Sequence, residues 1–125
     1  MNRVVGVGGI FFKARDPEML RAWYKAHLGI DVQAWGGTAF PWTKPDGVTV
    51  WSIFPDSAEY FAPSQSPFMV NYVVEDLPAV LAVLRSEGCD VDSKVEESEF
   101  GTFGWVMDPE GNRIELWQPP ESPKA

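Results

Sequence analysis

The alternation of apolar and polar positions along this chain follows one pattern, and that pattern occurs twice. Phe11-Phe12-Lys13-Ala14-Arg15-Asp16-Pro17 runs from an apolar stretch into the helical spacing of Leu20, Trp23, Tyr24 and Leu28. Val70-Asn71-Tyr72-Val73-Val74-Glu75-Asp76-Leu77-Pro78 runs likewise into Leu77, Val80, Leu81 and Leu84. Each helix opens on an aspartate, Asp16 or Asp76, whose side chain suits the N-cap. Proline follows in the tolerant first turn. Each helix ends at a glycine, Gly29 or Gly88, suited to the left-handed residue that closes a helix. Strand starts follow at Ile30-Asp31-Val32 and Cys89-Asp90-Val91.

The repeat continues into two turns. Lys44-Pro45-Asp46-Gly47 precedes the alternating run Val48 to Pro55, and Asp108-Pro109-Glu110-Gly111 precedes Asn112 to Pro119. Proline presets one central turn angle and glycine accepts a positive one, so each segment predicts a β-hairpin. Asp46 and Glu110 are therefore turn residues. The unit reads strand, helix, strand, strand, strand. Module one covers residues 1–56, a Ser- and Pro-rich linker 57–67, module two 68–119 and a disordered tail 120–125.

Composition narrows the function. The chain has 125 residues, room for one compact domain. Its net charge of -8 lacks the clustered Lys and Arg needed to neutralise phosphates, which excludes nucleic acid and an anionic membrane surface as partners. Residues 1–60 balance six acids with six bases; residues 61–125 carry twelve acids and four bases, so the excess belongs to module two. No run approaches the roughly 20 apolar residues of a membrane span. Met1-Asn2-Arg3-Val4-Val5-Gly6 is too short and glycine-broken for a signal peptide, and one cysteine allows no internal disulfide, so the expected location is cytoplasmic. Cys89, flanked by acids that raise a thiol pKa, reads as structural. Gly6, Gly8 and Gly9 precede a strand, so they are no dinucleotide fingerprint. Six Trp, eight Phe and three Tyr exceed what so small a core usually needs.

A paired βαβββ unit with these motifs resembles the vicinal oxygen chelate superfamily, which includes glyoxalase I, bleomycin-resistance proteins and extradiol dioxygenases. The resemblance rests on Gly104-Trp105-Val106-Met107-Asp108-Pro109-Glu110-Gly111-Asn112-Arg113-Ile114-Glu115-Leu116, similar to the family's closing hairpin. It rests also on Asp16-Pro17-Glu18, Trp23-Tyr24 and Leu28-Gly29 in module one. It implies an α+β fold: two βαβββ modules forming a curled mixed sheet with a cup, helices on the outer face. It also implies a homodimer, because related chains pair modules within a chain or across a two-fold interface.

Catalytic members of that superfamily hold a divalent metal at the base of the cup, mostly with His and Glu. By the resemblance, the first-strand ligand stands seven residues before the helix-capping aspartate, at Gly9 and Met69 here. The last-strand positions are Trp51 and Glu115. Glycine offers no donor, an indole N–H has no lone pair to give, and a thioether suits copper(I). One carboxylate falls short of the roughly three protein ligands of a catalytic site. A register error of one residue brings in Gly8, Ile10, Phe68 or Val70, none of which binds a metal. The expectation is no metal at these positions and no cofactor. His27, the single histidine, reads as a solvated residue at a helix end, favourable to the dipole.

Residues two apart on a strand share a face. The expected cup lining is then Phe11 and Lys13 beside Gly9, Thr49 and Ile53 beside Trp51, Asn71 and Val73 beside Met69, and Arg113 and Trp117 beside Glu115. Phe40, Trp42, Phe103 and Trp105 lie on intervening strands. The candidate ligand-binding set is Phe11, Lys13, Trp51, Met69, Asn71, Trp105, Arg113, Glu115 and Trp117. An apolar, aromatic lining with few polar groups suits a small molecule, by stacking a planar ligand or holding a cation. The same large residues would also serve simply as core. Glu115 is either a carboxylate satisfied by Arg113 or Lys13, or a lone acid poised as a general acid or base. Three functions stay open. The first is a metal-free binding protein for a small aromatic or cationic molecule. The second is a metal-independent lyase or isomerase using Glu115. The third is a metalloenzyme of glyoxalase or dioxygenase type.

Overall fold

A computed structural model describes residues 7–42 and 46–121. The chain start 1–6, residues 43–45 with the turn residues Lys44 and Pro45, and the tail end 122–125 lie outside them. The elements are α1 (Pro17–Leu28), β1 (Val70–Val73), α2 (Leu77–Ser86), β2 (Asp90–Val91), β3 (Glu96–Ser98), β4 (Gly101–Met107) and β5 (Arg113–Gln118).

Both helices start and stop where their capping chemistry dictates. Asp16 Oδ1 accepts from the Met19 N–H and Asp76 Oδ1 from the Ala79 N–H, each at 3.2 Å. Gly29 closes α1 at φ +66°. After α2, Gly88 at φ +80° donates to the Arg85 carbonyl, and Cys89 donates to the Leu84 carbonyl. Those two bonds make a Schellman end.

The sheet is mixed and open, in the order β1-β5-β4-β2, with β3 also on β4. β1 runs parallel to β5, pairing Asn71 with Glu115 and Val73 with Trp117. β4 is antiparallel to β5, pairing Trp105 with Glu115 and Phe103 with Trp117. β2 pairs with the Val106–Met107 end of β4 and β3 with its Gly101–Phe103 end. They are two pieces of the single strand expected after α2, and the Asp92 N–H bonds the Trp105 carbonyl between them. Module two is thus the βαβββ unit with one interrupted strand.

Leu20 and Tyr24 of α1 and Leu77, Leu81 and Leu84 of α2 pack on Val106, Ile114 and Leu116. Both helices therefore cover one face of the sheet, and burying each such aliphatic side chain contributes roughly 1.5–3 kcal/mol. Two polar locks join the turn of the last hairpin to α1 and the residues just ahead of it. The Tyr24 hydroxyl donates to Asp108 Oδ2 at 2.9 Å. Glu110 accepts the Arg15 and Asp16 N–H groups at 2.7 and 2.9 Å, just ahead of α1.

The α+β class, the mixed sheet and the outer helices are as expected from the sequence. Ladder pairing among the described residues is confined to module two. The expected strands of module one, around Phe11, Phe40 to Trp42 and Val48 to Phe54, carry no ladder, and Phe11 is 94% and Trp42 91% exposed. Alternation marks a segment that can extend, but a strand also needs a neighbour for its N–H and C=O groups, and the pattern does not name one. No helix among the described residues is long and apolar enough to cross a membrane.

Candidate functional site

β5 decides the site. Ile114 and Leu116 point into the helix-covered core, so Arg113, Glu115 and Trp117 occupy the other face. Glu115 is buried there, only 8% exposed. Three donors converge on its two oxygens. Asn71 Nδ2 donates to Oε1 at 2.7 Å from the neighbouring β1 register position. Trp105 Nε1 donates to Oε2 at 3.1 Å from the neighbouring β4 position. The Tyr60 hydroxyl donates to Oε2 from the linker. Such a set suits an acceptor-only carboxylate.

Tyr60 was not among the expected site residues. It stacks on Phe54, with ring centroids 5.6 Å apart, and meets Trp105 edge-on at 6.0 Å. Burial first, and then the bond to Glu115, raise its phenol above the ordinary tyrosine value of 10.0. The one signal in the sequence was a Tyr-Phe pair at 60–61 inside a Ser- and Pro-rich linker. Ladder geometry could not place it, because the linker belongs to no strand.

Neither Arg113 nor Lys13 satisfies Glu115, which corrects the expectation for this carboxylate. Arg113 Nη1 instead lies 3.2 Å from Asp92 Oδ2, and its guanidinium sits 5.0 Å from the centre of the Trp105 ring. Arg113 stands one register step from Glu115, so its long side chain reaches the β2 side of the sheet. Its Nε is buried without a hydrogen-bond partner. That guanidinium and Lys94, 5.9 Å from the ring centre, flank Trp105, which is 1% exposed. On the other side of Glu115, Phe103 and Trp117 stack with planes 6° apart and centroids at 6.0 Å. Trp117 Nε1 is anchored on the Phe100 carbonyl at 2.8 Å.

Of the sequence-derived set, Asn71, Trp105 and Glu115 form one hydrogen-bonded row, with Arg113 and Trp117 on the same face. Met69 is half-buried just before β1. Phe11, Lys13 and Trp51 stand apart and are exposed, Trp51 to 74%. A groove of about 460 Å³ lies on the opposite, helix-covered side, between the end of α1 and α2 over Tyr72, Val74 and Leu116. Nearby, burial and then Glu87 push the Cys89 thiol above its ordinary value.

An open mixed sheet with two helices on one face and a carboxylate-centred aromatic row on the other defines a glyoxalase-like architecture. A glyoxalase-like domain model matches residues 9–117, and the chain belongs to that family. Two solved structures share the fold. One is TnmS3, an antibiotic binding protein from Streptomyces sp. CB03234, at 22% identity and a TM-score of 0.62, covering 96% of this chain and 100% of that one. The other is a glyoxylase/bleomycin resistance protein/dioxygenase domain from Frankia sp. EAN1pec, at 14% identity and 0.54, covering 94% and 100%. A comparison with curated proteins gives no match.

Proposed function

We propose that this chain binds a small, planar or cationic molecule in an aromatic cup that holds no metal, and that the cup is completed in a homodimer. The observation that carries the reading is Glu115: a buried carboxylate held by Tyr60, Asn71 and Trp105 beside the stacked Phe103 and Trp117. A negative group framed by aromatic faces suits a cation or a flat ring bearing a donor. TnmS3, which shares the fold, is an antibiotic binding protein, and a ligand of that kind fits this class.

The family's metal does not suit the residues at the four positions. Gly9, Trp51 and Met69 supply no hard donor, and the oxygens of Glu115 already accept from three groups. What favours a homodimer is the apolar surface of module one, where Phe11, Phe40, Trp42, Trp51 and Ile53 are all exposed. So much apolar surface on strand-like segments without ladders calls for a covering partner, and a second copy offers the matching cup half.

The test pairs light scattering with a tryptophan-fluorescence screen of planar antibiotics and aromatic amines. A dimer and saturable quenching are expected, with Glu115→Gln weakening binding by roughly tenfold, the value of one charge-assisted hydrogen bond. A monomer whose fluorescence no compound perturbs would sink the reading.

The Tyr60–Glu115 hydrogen bond favours a second reading, a metal-independent lyase or isomerase in which Glu115 moves a proton. Turnover left unchanged by Glu115→Gln on a discovered substrate would remove that role.

A further inference from the structure

His27 stands in the last turn of α1, as its place in the sequence implied, but it is half-buried and partnered rather than freely solvated. Its Nδ1 lies 3.0 Å from Glu87 Oε1, and its ring packs on Trp23 with centroids 5.4 Å apart. Its side chain keeps 25% of its exposure and that of Glu87 37%, so both remain reachable by an ion. One ligating atom each from His27, Glu87 and Cys89 fall within 4.8 Å of one another. Local structure brings them together. The Schellman end of α2 turns the chain at Gly88, which carries Cys89 round to the side of Glu87. The last turn of α1 supplies His27 from the other module.

The geometry points to a zinc-type site: a borderline divalent cation held by His27 Nδ1, the Glu87 carboxylate and Cys89 Sγ, with the fourth position open. Tetrahedral zinc, with bonds of about 2.0–2.3 Å, sets its ligand atoms roughly 3.3–3.8 Å apart, so small rotations, chiefly of the exposed Glu87 side chain, close the cluster. A nitrogen, oxygen and sulfur set selects zinc or cobalt(II); calcium and magnesium demand oxygen alone. On binding, the thiol proton passes to solvent and the sulfur ligates as thiolate.

Placement adds weight. His27 and Glu87 also line the groove of about 460 Å³ beside Phe40, Val73, Val80 and Val83. The open position is thus next to an apolar space that a ligand with one donor atom would fill. This site is on the helix-covered side of the sheet, the opposite face from Glu115, and its three ligands are none of the residues that hold Glu115. Binding there clips the end of α1 to the end of α2.

The experiment uses the full chain without a histidine tag, stripped by a chelator and titrated with cobalt(II). One equivalent should bind and give a thiolate-to-cobalt charge-transfer band, which zinc(II) then abolishes by displacement. Cys89→Ser should lose the band. His27→Gln and Glu87→Gln should each lower zinc affinity by at least tenfold, the lower end of what removing groups around a metal costs. Near-ultraviolet circular dichroism of each metal-free variant, matched to the wild type, separates lost ligation from misfolding. Weak cobalt binding without a thiolate band, an adventitious ion only, would overturn the site. So would one-equivalent cobalt binding, read from the visible d–d absorption, that survives Cys89→Ser and is lost in Glu115→Gln, because the ion would then sit in the cup.

Discussion

The Tyr24 hydroxyl reaches across 84 positions of sequence to donate to Asp108 Oδ2 at 2.9 Å, from the first helix to the turn of the last hairpin. Asp108 is buried and also accepts from the Glu110 and Asn112 N–H groups and from Asn112 Nδ2. One side chain therefore holds the turn and docks it on α1. Tyr24→Phe should lower stability by about 1–2 kcal/mol, since Asp108 keeps its other donors. Urea unfolding should show a lower midpoint and an unchanged slope.

Acid should undo the second lock, at Glu110. Backbone N–H groups of Arg15, then Asp16, hold the Glu110 carboxyl below its ordinary value of 4.5. In the window between the two values the unfolded chain binds more protons than the folded one, so stability there rises with pH. The contribution is fully present above 4.5 and is lost as pH falls through the lowered value. Melting midpoints of Glu110→Gln and wild type should differ at neutral pH and converge below 4.5.

All three tyrosines resist ionisation. Burial first, then Asp108, push Tyr72 up to about 12, and burial raises Tyr24 and Tyr60 further. Each folded value lies above the unfolded 10.0. Their contribution is thus intact below 10.0 and declines as pH rises toward the folded values. Tyrosinate absorbance of the folded protein should stay flat through 10.0, whereas the urea-unfolded chain titrates there.

Two glycines with positive φ should respond differently to alanine. A Cβ on Gly101, at φ +112°, would come within 2.3 Å of the Gln118 carbonyl oxygen and 2.9 Å of Trp117 Nε1. One on Gly111, at φ +83°, would meet nothing within 4 Å. Gly111→Ala should cost only left-handed strain, about 1–2 kcal/mol. Gly101→Ala should cost more and should shift Trp117 emission, because the β4–β5 pairing must move.

The helices were legible because capping is local: Asp16, Asp76, Gly29 and Gly88 act within a turn of themselves. The face of β5 was legible because side chains alternate, so Arg113, Glu115 and Trp117 had to share a side. The carboxylate's partners were not. Tyr60 comes from a linker without periodicity, and Arg113 prefers Asp92, a choice made by strand register and side-chain reach.

By itself the sequence determined both helices with their caps and the turn of the last hairpin, which depend on short-range backbone chemistry, and it carried the family resemblance. Only the tertiary structure decided which strand segments find a ladder, because that needs a neighbour distant in the chain. It also decided that His27, Glu87 and Cys89 meet, since two helix ends from different modules must dock before their side chains can share a cation. Spacing along one chain does not encode that distance; the shared core that places Leu20 and Tyr24 with Leu77, Leu81 and Leu84 on Val106, Ile114 and Leu116 does.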